Sequence, residues 1–219
     1  MQACSLPLFD TVPSIAAREE LAPGAWLLHR FALDQAGALL AGIGRIAEQS
    51  PFRNLVTPGG KTMSVAMTNC GAVGWHSDRR GYRYVEFDPL TGRPWPKRPA
   101  SFARLAHAAA AAAGFDDYSP DVCLVNRYAA GTRLTLHRDH DERDRCAPIV
   151  SVSLGLPATF LFGGLVRADP QRRIRLGHGD VVVWGGPSRM RYHGVQPVKP
   201  GEHPLTGAYR FNLTFRIAR

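Results

Sequence analysis

The four cysteines, Cys4, Cys70, Cys123 and Cys146, are scattered along 219 residues, and no two are spaced as Cys-x-x-Cys. That excludes a zinc ribbon and a thioredoxin-like redox motif and makes reduced thiols the default. No stretch approaches the roughly 18 consecutive apolar residues of a membrane span. The N-terminal "MQACSLPLFDTVPS" has no basic start followed by an apolar core, so no secretory leader is read and the cytosol is the expected compartment. There is no internal repeat, and no extra domain beyond Arg219 is expected. Acidic residues are the scarcer charge, 18 against 27 Lys and Arg, for a net charge of +9. A basic surface attracts polyanions, nucleic acid being the commonest, although a basic surface can also be generic.

What is present reads as one α+β domain. Residues 34–49, "DQAGALLAGIGRIAEQ", place Leu39, Leu40, Ile43 and Ile46 at helical spacing behind Asp34 as N-cap. A second helix is predicted over 101–113, capped by Ser101 and stopped at Gly114. Beyond Asp121 short β-rich runs follow one another, from "VCLVNRY" to "YRFNLTFRI", several of them separated by Gly and Pro. Such a series predicts an antiparallel sandwich or jelly roll, with the helices on one outer face. Residues 50–98, rich in turns, arginine and aromatics, read as a lid or binding loop rather than an idle surface excursion.

The stretch "TLHRDHDERDR", Thr135 to Arg145, concentrates two histidines, three aspartates and a glutamate. As a strand it would point His137, Asp139 and Asp141 one way and Arg138 and His140 the other. His-x-Asp on one face supplies two ligands of the facial triad that binds non-haem iron(II), leaving positions open for a co-substrate and oxygen. His193, just after the strong strand "DVVVWGG", is the best third ligand. His178 sits in a glycine-flanked turn that suits a structural role, and His140 is the local competitor of His137. Alone, His-x-Asp…His is a weak motif.

The C-terminal strand adds specificity. Alternation puts Arg210, Asn212, Thr214 and Arg216 on one face and Phe211, Leu213, Phe215 and Ile217 on the other. Arginine grips carboxylates with paired hydrogen bonds. Asn126 and Tyr128 of "VNRYA" share a face in the same way. Beside an iron-type triad, a five-carbon keto-diacid is the natural ligand; by itself, the polar face could be solvated.

The segments "NRYAAGTRLTLHRDHDE", "APIVSVSLGLPATFLFGG", "LGHGDVVVWGGPSRMRYHGVQP" and "YRFNLTFR" closely resemble the AlkB family of iron(II)- and 2-oxoglutarate-dependent dioxygenases, its bacterial members most. "SPFRNLVTPGGKTMSVAMTNCGAVGW" resembles the family's nucleotide-recognition segment, and the likeness runs from about residue 20 to the end. It implies a double-stranded β-helix in a single domain over 1–219, made of an N-terminal extension and helix (1–49), a nucleotide-recognition lid (50–98) and a helix with the jelly-roll core (99–219). It implies His137, Asp139 and His193 as iron ligands, with 2-oxoglutarate and O2 as co-substrates. Asn126, Tyr128, Arg210, Asn212, Thr214 and Arg216 would surround 2-oxoglutarate. Trp75 and Tyr82 match base- and backbone-contacting aromatics, Asp141 and Arg167 lie near the substrate, and Arg83 and Tyr84 join the substrate-contacting set. Lys61 departs from the resemblance, which implies an aromatic residue at that place in the "GGKTM" turn.

The family removes alkyl groups from ring nitrogens of adenine and cytosine, chiefly in single-stranded DNA and also in RNA. A monomer without membrane or protein partner is expected. Arg53, Lys61, Arg79, Arg80 and Arg83 are the basic residues that could meet phosphates. Two other readings stand beside this one: an iron/2-oxoglutarate hydroxylase of a small molecule or protein, and a nucleic-acid binder that keeps the jelly roll without the chemistry.

Overall fold

The structure, a computed structural model, describes residues 17–219. Cys4 and the stretch read for a leader lie outside the described residues. The first half contains β1 (Arg18–Ala22), β2 (Ala25–Leu28), α1 (Ala36–Gln49), β3 (Arg53–Val56), β4 (Thr62–Gly71), β5 (Gly74–Asp78), β6 (Gly81–Val85) and α2 (Ala100–Ala112). The second half is β7 (Val122–Tyr128), β8 (Leu134–His137), β9 (Ile149–Gly155), β10 (Ala158–Phe162), β11 (Arg172–Leu176), β12 (Val181–Trp184), β13 (His193–Val195) and β14 (Arg210–Arg216). Among the described residues, no helix is long and apolar enough to cross a membrane.

Eight strands form one antiparallel sheet in the order β1-β2-β12-β9-β14-β7-β4-β3. Four more form a second sheet, β11-β10-β13-β8, and β5 and β6 make a separate hairpin. The large sheet is covered on both sides, which is why β9 is buried at every position. On one side Leu39, Ile43 and Ile46 of α1 and Phe102, Leu105 and Ala109 of α2 pack on Val125, Val152, Val183, Leu213 and Phe215. On the other, Phe160, Phe162 and Ile174 of the small sheet meet Met67, Leu124, Val182 and Trp184. Burying each large apolar side chain stabilises by about 1.5–3 kcal/mol. The two sheets are the jelly roll, and the helices lie on its outer face as predicted.

Three local expectations need correction. Asp34 is not an N-cap: the chain enters α1 through a short 3-10 turn, Leu33–Gln35, in which the Leu33 and Gln35 N–H groups donate to the carbonyls of Arg30 and Ala32. Helix α2 begins at Ala100, with the Pro99 carbonyl starting its ladder, so Ser101 lies inside the first turn instead of capping it. Gly114 does end the helix, at φ +85°, the left-handed conformation that glycine tolerates best. Residues 50–98 are not one loop. Strand β4 is built into the large sheet beside β7, because Val65 and Met67 supply core and a full run of antiparallel partners is available. Only the β5–β6 hairpin and the turns flanking it project from the sheets. At its base Gly74 lies against the Trp95 ring, where a Cβ would come within 2.3 Å, and the Trp95 indole donates to the Val85 carbonyl.

Cys70 and Cys123 are cross-strand partners and carry free, buried thiols. Burial, with Cys70 alongside, pushes the Cys123 thiol well up, so it stays protonated.

Candidate metal and co-substrate site

Antiparallel pairing of β8 with β13 sets His137 directly opposite His193, and the two rings lie 4.4 Å apart. Asp139 follows two residues after the strand end. One ligand atom from each of His137, Asp139 and His193 lies within 4.8 Å of the others. The strand expected to carry Asp139 and Asp141 stops at His137. The Asp139 carbonyl accepts from Arg189 Nη1 at 2.8 Å instead of from a neighbouring strand. His140 is exposed and hydrogen-bonds the Arg138 carbonyl, outside the triad. His178 is structural, accepting the Gly155 N–H at 2.8 Å.

Backbone carbonyls aim both imidazoles. His137 Nδ1 lies 2.8 Å from the Thr135 carbonyl and His193 Nδ1 lies 3.1 Å from that of Arg191. A carbonyl can only accept, so Nδ1 carries the proton and the Nε2 lone pair is left for a metal. Burial, helped by His137, pushes His193 down to about 3, and the ring is therefore neutral near pH 7. Burial opposes ionisation of Asp139, but Arg216, the two histidines and Arg189 outweigh it and hold the carboxyl well below its usual range. Arg216 Nε and Nη2 both donate to Asp139 Oδ2, at 3.1 and 2.8 Å, which leaves Oδ1 available. Two imidazoles with Nε2 free and one carboxylate fit iron(II).

Arg210, Asn212, Thr214 and Arg216 line a cavity of about 550 Å³ together with the triad, Asn126 and Tyr128. Register produces this set, since Arg210 lies opposite Tyr128 and Asn212 opposite Asn126. Asn212 Nδ2 donates to Ser151 Oγ at 2.8 Å, and its Oδ1 accepts from Asn126 and Thr214 at 3.1 and 2.9 Å. Burial pushes the Tyr128 phenol up to about 12, keeping it a donor. The Arg210 guanidinium lies 5.2 Å over the Tyr128 ring and donates from Nη2 to Ser153 Oγ at 2.8 Å. Its Nε and Nη1 are buried without a partner. Two unsatisfied donors on a buried cation are costly, and a carboxylate would satisfy both. The residues present therefore fit 2-oxoglutarate, with Arg210 the group that awaits its far carboxylate. Arg216, by contrast, spends Nε and Nη2 on Asp139.

On the same cavity Trp75 and Tyr82 stack with centroids 5.6 Å apart and planes 14° apart. Trp75 Nε1 donates to Asp141 Oδ2 at 2.9 Å, and Lys61, Arg133 and Arg138 also reach the lining. Three expected substrate contacts do not line this cavity. Arg83 pairs with Asp78 through hydrogen bonds of 2.8 and 2.7 Å. Tyr84 turns inward and donates to Glu142 Oε1 at 2.5 Å, burial pushing its phenol well up. Arg167 lies 5.7 Å over the Tyr192 ring. Of the basic residues considered for phosphates, Arg53 is committed to Asp88, while Arg79 and Arg80 are exposed at the hairpin tip.

Sequence reasoning missed Ser151, Ser153, Glu142 and Arg189. The serines had a signal, an alternation of small polar residues in "IVSVSLG" that matches the polar face of β14. Glu142 stood inside the acidic stretch but three residues beyond Asp139, where nothing local assigned it a partner.

The family model of the 2OG-Fe(II) oxygenase superfamily matches residues 24–216. The chain is 63% identical over 201 residues to the alpha-ketoglutarate-dependent dioxygenase AlkB of Salmonella typhimurium, covering 92% of this chain and 93% of the relative. It is 61% identical to the protein of the same name from Escherichia coli, with the same coverage. The solved structure of OsALKBH1 superposes with a TM-score of 0.81 at 30% identity, over 92% of this chain and all of that one. The triad, the unsatisfied arginine beside it and these likenesses agree, and the chain belongs to the AlkB family of iron(II)- and 2-oxoglutarate-dependent dioxygenases.

Proposed function

We propose that this dioxygenase removes alkyl groups from ring nitrogens of damaged bases, of the 1-methyladenine and 3-methylcytosine type, in single-stranded DNA, with RNA as a second substrate class. The observation that carries this reading is the stacked Trp75–Tyr82 pair on the wall of the cavity that also holds the triad. A small aliphatic substrate has no use for a flat aromatic surface there; a base does, at about 1–3 kcal/mol per stacked base. The target nitrogen is inaccessible in a stacked duplex, so the nucleotide is supplied single-stranded or flipped.

Iron(II) with 2-oxoglutarate and O2 supplies oxidation of a C–H bond, with 2-oxoglutarate converted to succinate and carbon dioxide. His137, Asp139 and His193 would hold the metal, and Arg210, with Tyr128 and Asn126, the co-substrate. Trp75 orients the base, and the Asp141 carboxylate complements the positive charge of an N-alkylated ring and its exocyclic amine. A hydroxylated alkyl group on ring nitrogen then leaves as an aldehyde, and the ring nitrogen recovers its lone pair. Lys61, Arg133 and Arg138, on the cavity lining, can meet backbone phosphates.

Mass spectrometry of a methylated single-stranded oligonucleotide with enzyme, iron(II), 2-oxoglutarate and O2 tests the reading. Loss of the methyl group with release of formaldehyde supports it. Turnover only with free amino acids or lipids would replace it with the small-molecule hydroxylase. Binding to single-stranded DNA is expected to weaken as salt rises, because phosphate contacts release counterions. Trp75→Ala is expected to reduce oligonucleotide turnover roughly tenfold, in line with a lost stack, and far more than it reduces substrate-free consumption of 2-oxoglutarate. Trp75 also packs on the core between the sheets, so melting temperature is measured alongside. Equal loss of both rates with a large drop in melting temperature would make the residue a packing element only.

A further inference from the structure

The β5–β6 hairpin pairs with neither large sheet, so side chains hold it in place. On one side the Asn69 amide brackets the Trp75 backbone, at 3.0 and 3.1 Å. On the other, Trp75 and Tyr84 are cross-strand partners, and their polar tips land on consecutive residues. The indole reaches Asp141 and the phenol reaches Glu142. Both acceptors lie just past the metal ligand Asp139.

The Glu142 side chain is only 2% exposed. Oε2 accepts from Arg189 Nη2 at 3.0 Å, and Arg189 also donates to the carbonyl of Asp139. Oε1 accepts the Tyr84 phenol and lies 3.4 Å from Arg216 Nε, whose guanidinium holds the Asp139 carboxylate. A buried carboxylate between two guanidiniums is weak evidence for stability, because desolvation offsets most of the attraction. Its geometry is better explained by orientation. Glu142 fixes the plane of Arg216, Arg216 occupies one oxygen of Asp139, and the other oxygen is thereby presented to the metal. Among the described residues, the Tyr84 phenol is the hydrogen bond that joins Glu142 to the aromatic hairpin.

We propose that Tyr84 and Glu142 are positioning residues that couple seating of the aromatic hairpin to the geometry of the metal carboxylate, through Arg216. The coupling rests on the dealkylation reading: a base that stacks on Trp75 moves the strand paired with Tyr84, and the shift is felt at Asp139. Tyr84→Phe removes only the hydroxyl, and its ring keeps its packing on the cluster of Val73, Val122 and Ala218. Glu142→Gln keeps an acceptor for the phenol but removes the charge that orients Arg216.

The test uses cobalt(II) as a spectroscopic probe with 2-oxoglutarate, beside turnover with iron(II). In the wild-type protein, adding methylated oligonucleotide should change the cobalt ligand-field spectrum and speed up 2-oxoglutarate consumption. With Tyr84→Phe both responses should shrink severalfold. Its kcat on the oligonucleotide should fall more than its KM rises, and its cobalt affinity should change less than about threefold. Glu142→Gln should weaken cobalt(II) binding roughly tenfold or more, as removal of outer-shell partners of metal ligands does. Retention of the full spectral and kinetic response in Tyr84→Phe would overturn the coupling alone. A uniform loss of both rates with a lowered melting temperature would reduce Tyr84 to a structural contact. Absence of any response to methylated oligonucleotide in the wild-type protein would overturn the dealkylation reading and the coupling with it.

Discussion

Alanine at His137, Asp139 or His193 is expected to abolish turnover and to weaken iron(II) binding by orders of magnitude. Each residue supplies one of three ligand atoms gathered within 4.8 Å, and two ligands do not make a facial site. The three variants should nevertheless differ in stability. His137 is part-exposed, and its loss leaves a rim position that water can fill. Asp139→Ala strips the buried Arg216 of its main counter-charge, and breaking a buried pair from one side costs about 3–5 kcal/mol. Asp139→Asn keeps a hydrogen-bond acceptor and should recover part of that stability without recovering activity. Metal titration by calorimetry and denaturant unfolding of all four proteins check both halves. Near-wild-type activity in any alanine variant would remove that residue from the ligand set, and loss of metal in His140→Ala would favour the competing set.

Arg210→Ala is expected to raise the 2-oxoglutarate concentration needed for half-maximal rate by ten- to a hundredfold, leaving oligonucleotide binding nearly unchanged. The guanidinium is buried and Nε and Nη1 have no partner. A charged hydrogen bond is worth about 1.5–3 kcal/mol, which converts to that range. The same variant should not lose folding stability in proportion, because the wild-type protein without co-substrate already bears the unsatisfied donors. Titration of 2-oxoglutarate at saturating methylated oligonucleotide, with thermal melting beside it, is the measurement. An unchanged half-saturation would move the carboxylate to another partner on the cavity wall.

Much of this was legible because strand alternation is a local rule. The polar face of β14 could be written down from "YRFNLTFRI", and the structure gathers all four of its residues on one cavity. The His-x-Asp spacing and the third histidine came together because β8 and β13 are neighbours. Chain ends and long-range pairs were less legible. Asp34 and Ser101 have the chemistry of caps, yet backbone carbonyls took over at both helix starts. The turn-rich composition of 50–98 hid β4, whose place in the sheet depends on a partner more than fifty residues away. Tyr84 entered the substrate-contacting set through the family resemblance alone. Which side of the hairpin it faces depends on Glu142, and no periodicity within the hairpin encodes that partner.

The ligands come from different layers of the fold. The two imidazoles belong to the four-stranded sheet, whereas Arg210 and Arg216 belong to the eight-stranded one. A molecule that chelated a metal held by the imidazoles and rested its far end on Arg210 would therefore be a strut between the layers. By mass action, a ligand held only by the folded state at a hundred times its dissociation constant adds about 2.7 kcal/mol to stability. Here that increment is a resistance to the sheets sliding apart. The protein with metal and 2-oxoglutarate together should melt higher than the sum of the two separate effects allows. A cell short of 2-oxoglutarate would hold not merely an idle enzyme but a looser one.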